Sequence, residues 1–295
     1  MSIVLGVIEE GLIYAIMALG VYITYKILDF PDLSVDGTFP LGAAVTAMLL
    51  LKGVHPAATL LLAFLTGAAA GCVTGFIHVK LKVRDLLSGI IVMTALYSVN
   101  LRIAGKANVP IFSKETIFEN AFLEGHIPEA LQPYLVSIIL LVIVLVCKVL
   151  LDLYLKTRSG YLLRAVGDND VLVTSLAKDK GTVKIIGLAI ANGFAALAGS
   201  VYCQQKGFFE VSMGTGTIVI GLASVIIGTK LVRGISSVLK ATTAVIIGSI
   251  VYKACVSIAI ACGMAPSDLK LITAVLFLAI LMFSNRGERK VRAHA

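Results

Sequence analysis

Most of this chain is apolar, so residues that could do chemistry stand out by being polar where hydrocarbon is expected. Ser34, Asp36, Gly37 and Thr38 form a compact run ahead of an apolar stretch, and Asn100 and Asn192 lie inside two others. A polar group at membrane depth is costly, and by default it marks a path for a polar solute. The alternative is an interhelical hydrogen bond. For Asn192 the neighbours favour that alternative, because Gly193, Ala195, Ala196 and Gly199 make a small-residue face for close helix packing. Lys253 is a further intramembrane polar residue, near enough to the outer half of its span to snorkel.

The constellations for covalent, metal or nucleotide chemistry are missing from the sequence. No G-x-x-x-x-G-K-[ST] loop occurs, and neither does a nucleophile elbow or an H-E-x-x-H pair. His55, His78, His126 and His294 are scattered, with no ligand-spaced cysteine or carboxylate beside them. Cys72, Cys147, Cys203, Cys255 and Cys262 lie in or beside apolar runs and read as small buried hydrophobes. The chain is therefore expected not to be an enzyme and to carry no cofactor or metal. Work against a gradient would draw its energy from an ion or from another subunit.

The elements that must position the polar residues follow from composition. Hydrophobic residues make up 58% of the chain, charged residues only 14%, and mean hydropathy is +0.98. A soluble domain carries roughly 25% charged residues. Successive runs are long enough to cross about 30 Å of hydrocarbon at 1.5 Å per residue. Backbone facing lipid must satisfy itself, so the fold class is all-α, a polytopic helical membrane protein. Candidate spans lie at 11–28, 39–52, 55–79, 85–104, 133–155, 184–205, 215–231, 239–262 and 268–284. Broken or re-entrant segments put the expected number of helices at about eight to ten. The start has no basic n-region or cleavage site, so no removable signal peptide is expected.

Loop charge sets the orientation. With 155–184 placed in the cytoplasm, seventeen basic residues fall at that face, including Lys80, Lys82, Arg84, Lys156, Arg158, Arg164, Lys180 and Lys184. Six fall at the other: Lys52, Arg102, Lys106, Lys114, Lys206 and Lys270. The positive-inside rule is satisfied, so the net charge of +8 is a topology signal and nucleic-acid binding is not expected. The whole chain, 1–295, reads as one transmembrane domain in a bacterial inner membrane. Its 155–184 loop is cytoplasmic, and its 105–132 and 204–216 loops are extracytoplasmic.

Three intervals carry polarity near membrane depth. Leu28–Ala44 (LDFPDLSVDGTFPLGAA) holds Asp29, Asp32 and Asp36, with Pro31 and Pro40 expected to fix turns. It is either a solvated loop or a broken helix lining a cavity, and the compact Ser34–Thr38 run favours the cavity. The 105–132 interval predicts a short surface helix at 115–123. The Gln204–Gly221 interval, punctuated by Gly207, Gly214, Gly216 and Gly221, predicts a re-entrant segment.

The longest polar interval of the second half, 155–184, reads as a short amphipathic helix between spans. Asp168 or Asn169 suits an N-cap, Asp170 suits the positive end of a helix dipole, and Leu172, Val173 and Leu176 share one face. On residues alone, that face fits a partner's groove or the lipid interface equally well.

The stretch from Thr157 to Tyr202 resembles the permease subunits of ATP-binding-cassette importers of the branched-chain amino acid, ribose and nucleoside type. That family has an R-[ST]-x-x-G-x-x-[LI]-R-A-x-G-x-[ND] stretch, then a span with an A-L-A-G-x-x-Y ending. Arg158, Gly160, Leu163, Arg164, Ala165, Gly167, Asn169, Ala196, Gly199 and Tyr202 stand at those places. The spacing ahead of Gly160 is compressed, and the glycine expected after the coupling helix is replaced around Ala177–Asp179. LDFPDLSVDGTF resembles the subgroup associated with aromatic amino acid uptake.

The resemblance implies two copies of this chain, two cytoplasmic ATPase subunits carrying ATP and Mg, and an extracytoplasmic substrate-binding protein. It makes Arg164, Gly167, Asp168, Asn169, Asp170, Leu172, Val173 and Leu176 the ATPase-coupling residues. A small solute, most readily an aromatic amino acid, would cross by alternating access past Ser34, Asp36, Gly37, Thr38, Asn100 and Asn192. Nucleosides and sugars are the alternative cargo, and an ATPase-independent secondary transporter is the rival mechanism.

Overall fold

The computed structural model describes residues 2–120, 129–168, 179–231 and 240–262, with 271, 273–275, 277–279 and 282. The chain begins with α1 (Ser2–Val21), which widens into a π-turn over Tyr22–Ile27. It continues through α2 (Val35–Leu51), α3 (Pro56–Val79) and α4 (Asp85–Ala104). A strand β1 (Asn108–Pro110) and a 3-10 turn (Glu129–Tyr134) lead to α5 (Leu135–Tyr154) and α6 (Arg158–Asp168). The remainder is α7 (Lys180–Lys206), β2 (Phe208–Glu210), α8 (Thr217–Leu231) and α9 (Ala241–Ala261). Six helical stretches are long and apolar enough to cross a membrane, while α2 and α8 are shorter. The protein is an all-α polytopic membrane protein.

Helix α7 is the axis. It packs against α3, α2 and α1, and 72% of its apolar window is buried. Its small residues make this possible, since van der Waals contact and not hydrophobicity holds helices together in lipid. A side chain at Gly42 of α2 would run into the Ala196 carbonyl, and one at Gly199 of α7 into that of Phe39. Gly71 of α3 meets the Leu188 carbonyl in the same way. Helices α3, α4 and α5 turn Leu65, Val73, Ile91, Leu145 and Leu150 outward, as lipid-facing surfaces do.

Helices α2 and α7 run parallel with a fixed offset: Thr38 sits level with Asn192 and Thr46 with Ser200. Asn192 is one residue from the midpoint of α7, so α2 starts partway along that apolar span. The chain reaches that depth through an irregular segment, 28–34. It begins where Leu28 and Phe30 donate back to Ile23 and Thr24 across the π-turn and Asp29 takes a left-handed φ of 50°. Asp tolerates that conformation better than most residues. The broken-helix reading of Leu28–Ala44 holds.

Other expectations change. Pro40 lies inside α2, not at a turn; as the sixth helical residue it frees the Asp36 carbonyl, over which Gly214 packs without a side chain. Residues 115–120 form no helix, because the Thr116 hydroxyl accepts from Phe118 and Glu119 N–H and closes a local turn. Lys253 does not snorkel. Its ammonium turns inward to Glu10 at 3.2 Å and lies 4.1 Å from the Tyr14 ring centroid. Lys206 takes the other Glu10 oxygen at 2.9 Å, so this carboxylate joins α1, α7 and α9. Cys147 and Cys203 are buried, but Cys72 and Cys262 are exposed. Most of the 268–284 span lies outside the described residues.

At the same end of the bundle, β1 and β2 pair antiparallel with Val109 opposite Phe209. They cover the re-entry of 211–216, from which α8 starts at the level of Asp36.

A graded test of the axis follows. Gly42→Leu is expected to lower the unfolding midpoint of the purified protein in detergent, reflecting about 2 kcal/mol or more of overpacking. Gly6→Ala, at a position with nothing within 4 Å, should leave the midpoint unchanged.

Candidate functional site

Backbone N–H groups at a helix start need acceptors, and at membrane depth water does not supply them. Two carboxylates do so here. Asp32 Oδ1 accepts the Ser34 N–H at 2.9 Å, ahead of α2. Asp36, on the first turn of α2, caps a different helix. Its Oδ2 accepts the Gly216 N–H at 2.9 Å, and its Oδ1 accepts the Ile218 N–H at 2.8 Å and the Thr217 hydroxyl at 3.0 Å. Each negative charge thus sits where a helix dipole is positive.

Asp32, Ser34, Thr38 and Asn192 form one fully buried network. The carboxylate can only accept, so the Asn192 amide nitrogen faces it and donates to Asp32 Oδ2 at 2.7 Å. The same nitrogen reaches the Leu188 carbonyl at 3.1 Å. The amide oxygen is thereby turned to the hydroxyls of Ser34 (3.1 Å) and Thr38 (2.7 Å). Among the described residues no cation pairs with Asp32. Gly89 of α4 closes over it, since a side chain there would meet Asp32 Oδ1 and the Leu33 N–H. The interhelical reading of Asn192 is the one the geometry supports. Its four polar partners leave it nothing for a passing solute.

Asp36, Gly37 and Asn100 belong to a second grouping. With Pro40, Met93, Thr94, Tyr97, Val211 and Thr215 they line a cavity of about 330 Å³. Asn100 is fully buried and donates its amide nitrogen to the Gly37 carbonyl at 3.0 Å, which fixes the orientation of the amide. Its oxygen has no hydrogen-bond partner. An orphaned buried acceptor costs about 1–3 kcal/mol, so its presence in a cavity wall marks a place where a ligand or water completes the bonding. The cavity opens past Thr94 and Tyr97, both exposed.

Toward the basic end, α6 meets the π-turn. Leu163 and Val166 are buried, and a side chain at Gly167 would collide with the Ile27 carbonyl. One at Gly187 of α7 would meet both Leu163 and Leu28. Asp168 is the last described residue of α6, and Arg164 lies one turn before it. Asn169, Asp170, Leu172, Val173 and Leu176 lie outside the described residues. Asp179 caps α7: the Thr182 hydroxyl and the Gly181 N–H hold its carboxyl below the usual carboxylate range.

The sequence of α6 had a readable signal that went unused, because Gly160, Leu163 and Val166–Gly167 repeat at helical spacing. Asp32 carried no local mark that separated it from Asp29. Tyr97, Thr94 and Thr215 could be found only once the cavity was seen.

With this geometry in place, the comparisons with known proteins decide the family. A model described as the branched-chain amino acid transport system permease component matches residues 3–284. The chain belongs to that permease family. The permease is 48% identical to a tyrosine transport system permease protein of Clostridioides difficile, over 97% of this chain and 92% of that one. It is 34% identical to the uncharacterized protein RP368 of Rickettsia prowazekii, over 95% and 97% of the two chains. It is 25% identical to the ribose import permease protein RbsC of Escherichia coli, over 78% and 70%. No solved structure matches it significantly. The permease is thus a multi-pass inner-membrane protein and a component of a transport system.

If the network is a brace, its members are energetically coupled. Asp32→Ala and Asn192→Ala are each expected to destabilise the permease by about 1–3 kcal/mol. The double variant should cost less than the sum by about 0.5–3 kcal/mol. Additive losses in SDS-titrated unfolding would contradict the brace.

Proposed function

We propose that this chain is the transmembrane component of an ATP-binding-cassette importer for an amino acid, with an aromatic amino acid favoured. The similarity to a tyrosine transport system permease across nearly the whole length of both chains supports the cargo. The lack of any nucleotide-binding loop supports an energy source on another chain, with ATP and Mg bound there. Two copies of the chain, two cytoplasmic ATPases and an extracytoplasmic binding protein make up the transporter.

The observation that carries the mechanism is the packing of α6 against the end of α1. Gly167 has no side chain, so the end of α6 lies directly on Ile27 and Leu28, where the 28–34 segment with its Asp32 brace begins. Closure of two ATPases beneath that loop would shift α6 against Ile27 and Leu28. The segment and the α2 start would then move as one piece and bias the path toward one side or the other. The basic end faces the cytoplasm in this reading, and the β1–β2 end faces the binding protein.

Two experiments test the proposal. In proteoliposomes holding the permease, its neighbouring ATPase and the binding protein, labelled tyrosine should accumulate only with ATP. Equal uptake by the permease alone would make it a secondary transporter. Replacing Leu172 and Val173 together with Asp should abolish co-purification of the ATPase while leaving yield and unfolding midpoint intact. Retained co-purification would remove the 169–176 stretch from the docking surface.

A further inference from the structure

The wall of the 330 Å³ cavity has a bias in its hydrogen bonding. The Thr94 hydroxyl donates to the Ile90 carbonyl, and the Asn100 amide nitrogen donates to that of Gly37, so both are turned away from a ligand. What remains unanswered is an acceptor, Asn100 Oδ1. The hydroxyls of Tyr97 and Thr215 can accept as well as donate. Asp36, on the same wall, adds a carboxylate.

An anionic group has no place to go, because the helix starts that would receive it are already capped by Asp32 and Asp36. The apolar faces of Pro40, Met93 and Val211 and the ring of Tyr97 complete the lining.

We propose that this cavity receives the ammonium group of the transported amino acid, with Asn100 Oδ1 as its acceptor and Asp36 as the nearby negative charge. An ammonium has three donors and no acceptor, which is the complement of this wall. The assignment rests on the amino-acid reading above and adds to it the half of the molecule that is read at this point. A solute with no donor at this position leaves Asn100 Oδ1 unpaired, and a carboxylate placed there meets the charge of Asp36. Either defect discriminates strongly where a site is built around a hydrogen bond.

The test uses the full chain in lipid nanodiscs, without its partners. Cys72, Cys255 and Cys262 are replaced by Ser, and Thr94→Cys provides a reporter at the cavity mouth. The probes are L-tyrosine, tyramine and 3-(4-hydroxyphenyl)propionate, which differ only in carrying both charged groups, the amine alone or the acid alone. Tyrosine and tyramine are expected to slow maleimide labelling of the reporter at millimolar concentration, and the acid is expected not to.

Asn100→Leu should weaken protection by tyramine about tenfold to a hundredfold. ATPase co-purification serves as its folding control, and Asn100→Gln, which keeps an acceptor together with a donor for the Gly37 carbonyl, should retain protection. Equal protection by the acid, or full protection of Asn100→Leu by tyramine, would overturn the assignment. So would absence of protection by every probe when the assembled transporter still accumulates tyrosine. Failure of that accumulation would instead strike the amino-acid reading itself.

Discussion

Backbone at membrane depth has to find hydrogen-bond partners inside the protein, and this chain breaks its helices there twice. The breaks at 28–34 and 211–216 each expose the N-terminal N–H groups of a shorter helix where no water can serve them. Two carboxylates four residues apart, Asp32 and Asp36, resolve this. Asp32 serves its own helix, whereas Asp36 reaches across to the start of α8. Because the second cap comes from another helix, the position of α8 depends on that of α2. The cavity that holds Asn100 lies between α2, α4 and the 211–216 segment that leads into α8, with the capping Asp36 in its wall.

Around this junction the molecule is fastened at three levels. Asn192 ties Asp32, Ser34 and Thr38 to the middle of α7. Glu10 gathers Lys206 and Lys253 near one end, a half-buried carboxylate paired on both oxygens. Near the basic end, Asp152 of α5 takes Lys148, Lys240 and the Thr242 hydroxyl, which pins the start of α9. Between these fastenings, Gly167 and Gly187 let α6, the π-turn and α7 touch closely.

Hydropathy alone located eight of the apolar stretches that became helices, and the small residues around Asn192 announced its close packing. The errors have local causes. Proline is expected to fix a turn, but Pro40 lies inside α2, with Gly214 packed over the Asp36 carbonyl it frees. Lysine in an outer half-span ordinarily snorkels, but Lys253 has Glu10 within reach from a helix 243 positions away in sequence. The 115–120 run has helical composition, yet a single threonine hydroxyl captures the two N–H groups a helix would use. Among the polar residues expected along a solute path, the sequence drew no division. Asn192 and Asn100 look alike as intramembrane asparagines. Only the partners at each oxygen separate a saturated brace from an open acceptor.

The dependence of α8 on a cap from α2 can be measured by hydrogen–deuterium exchange of the permease in nanodiscs. Asp36→Ala should raise exchange across 214–221, where Gly216 and Ile218 lose their acceptor, while the α3 peptides keep wild-type protection. Unchanged protection of 214–221 in a variant whose α3 remains protected would contradict the claim that this carboxylate assembles the site.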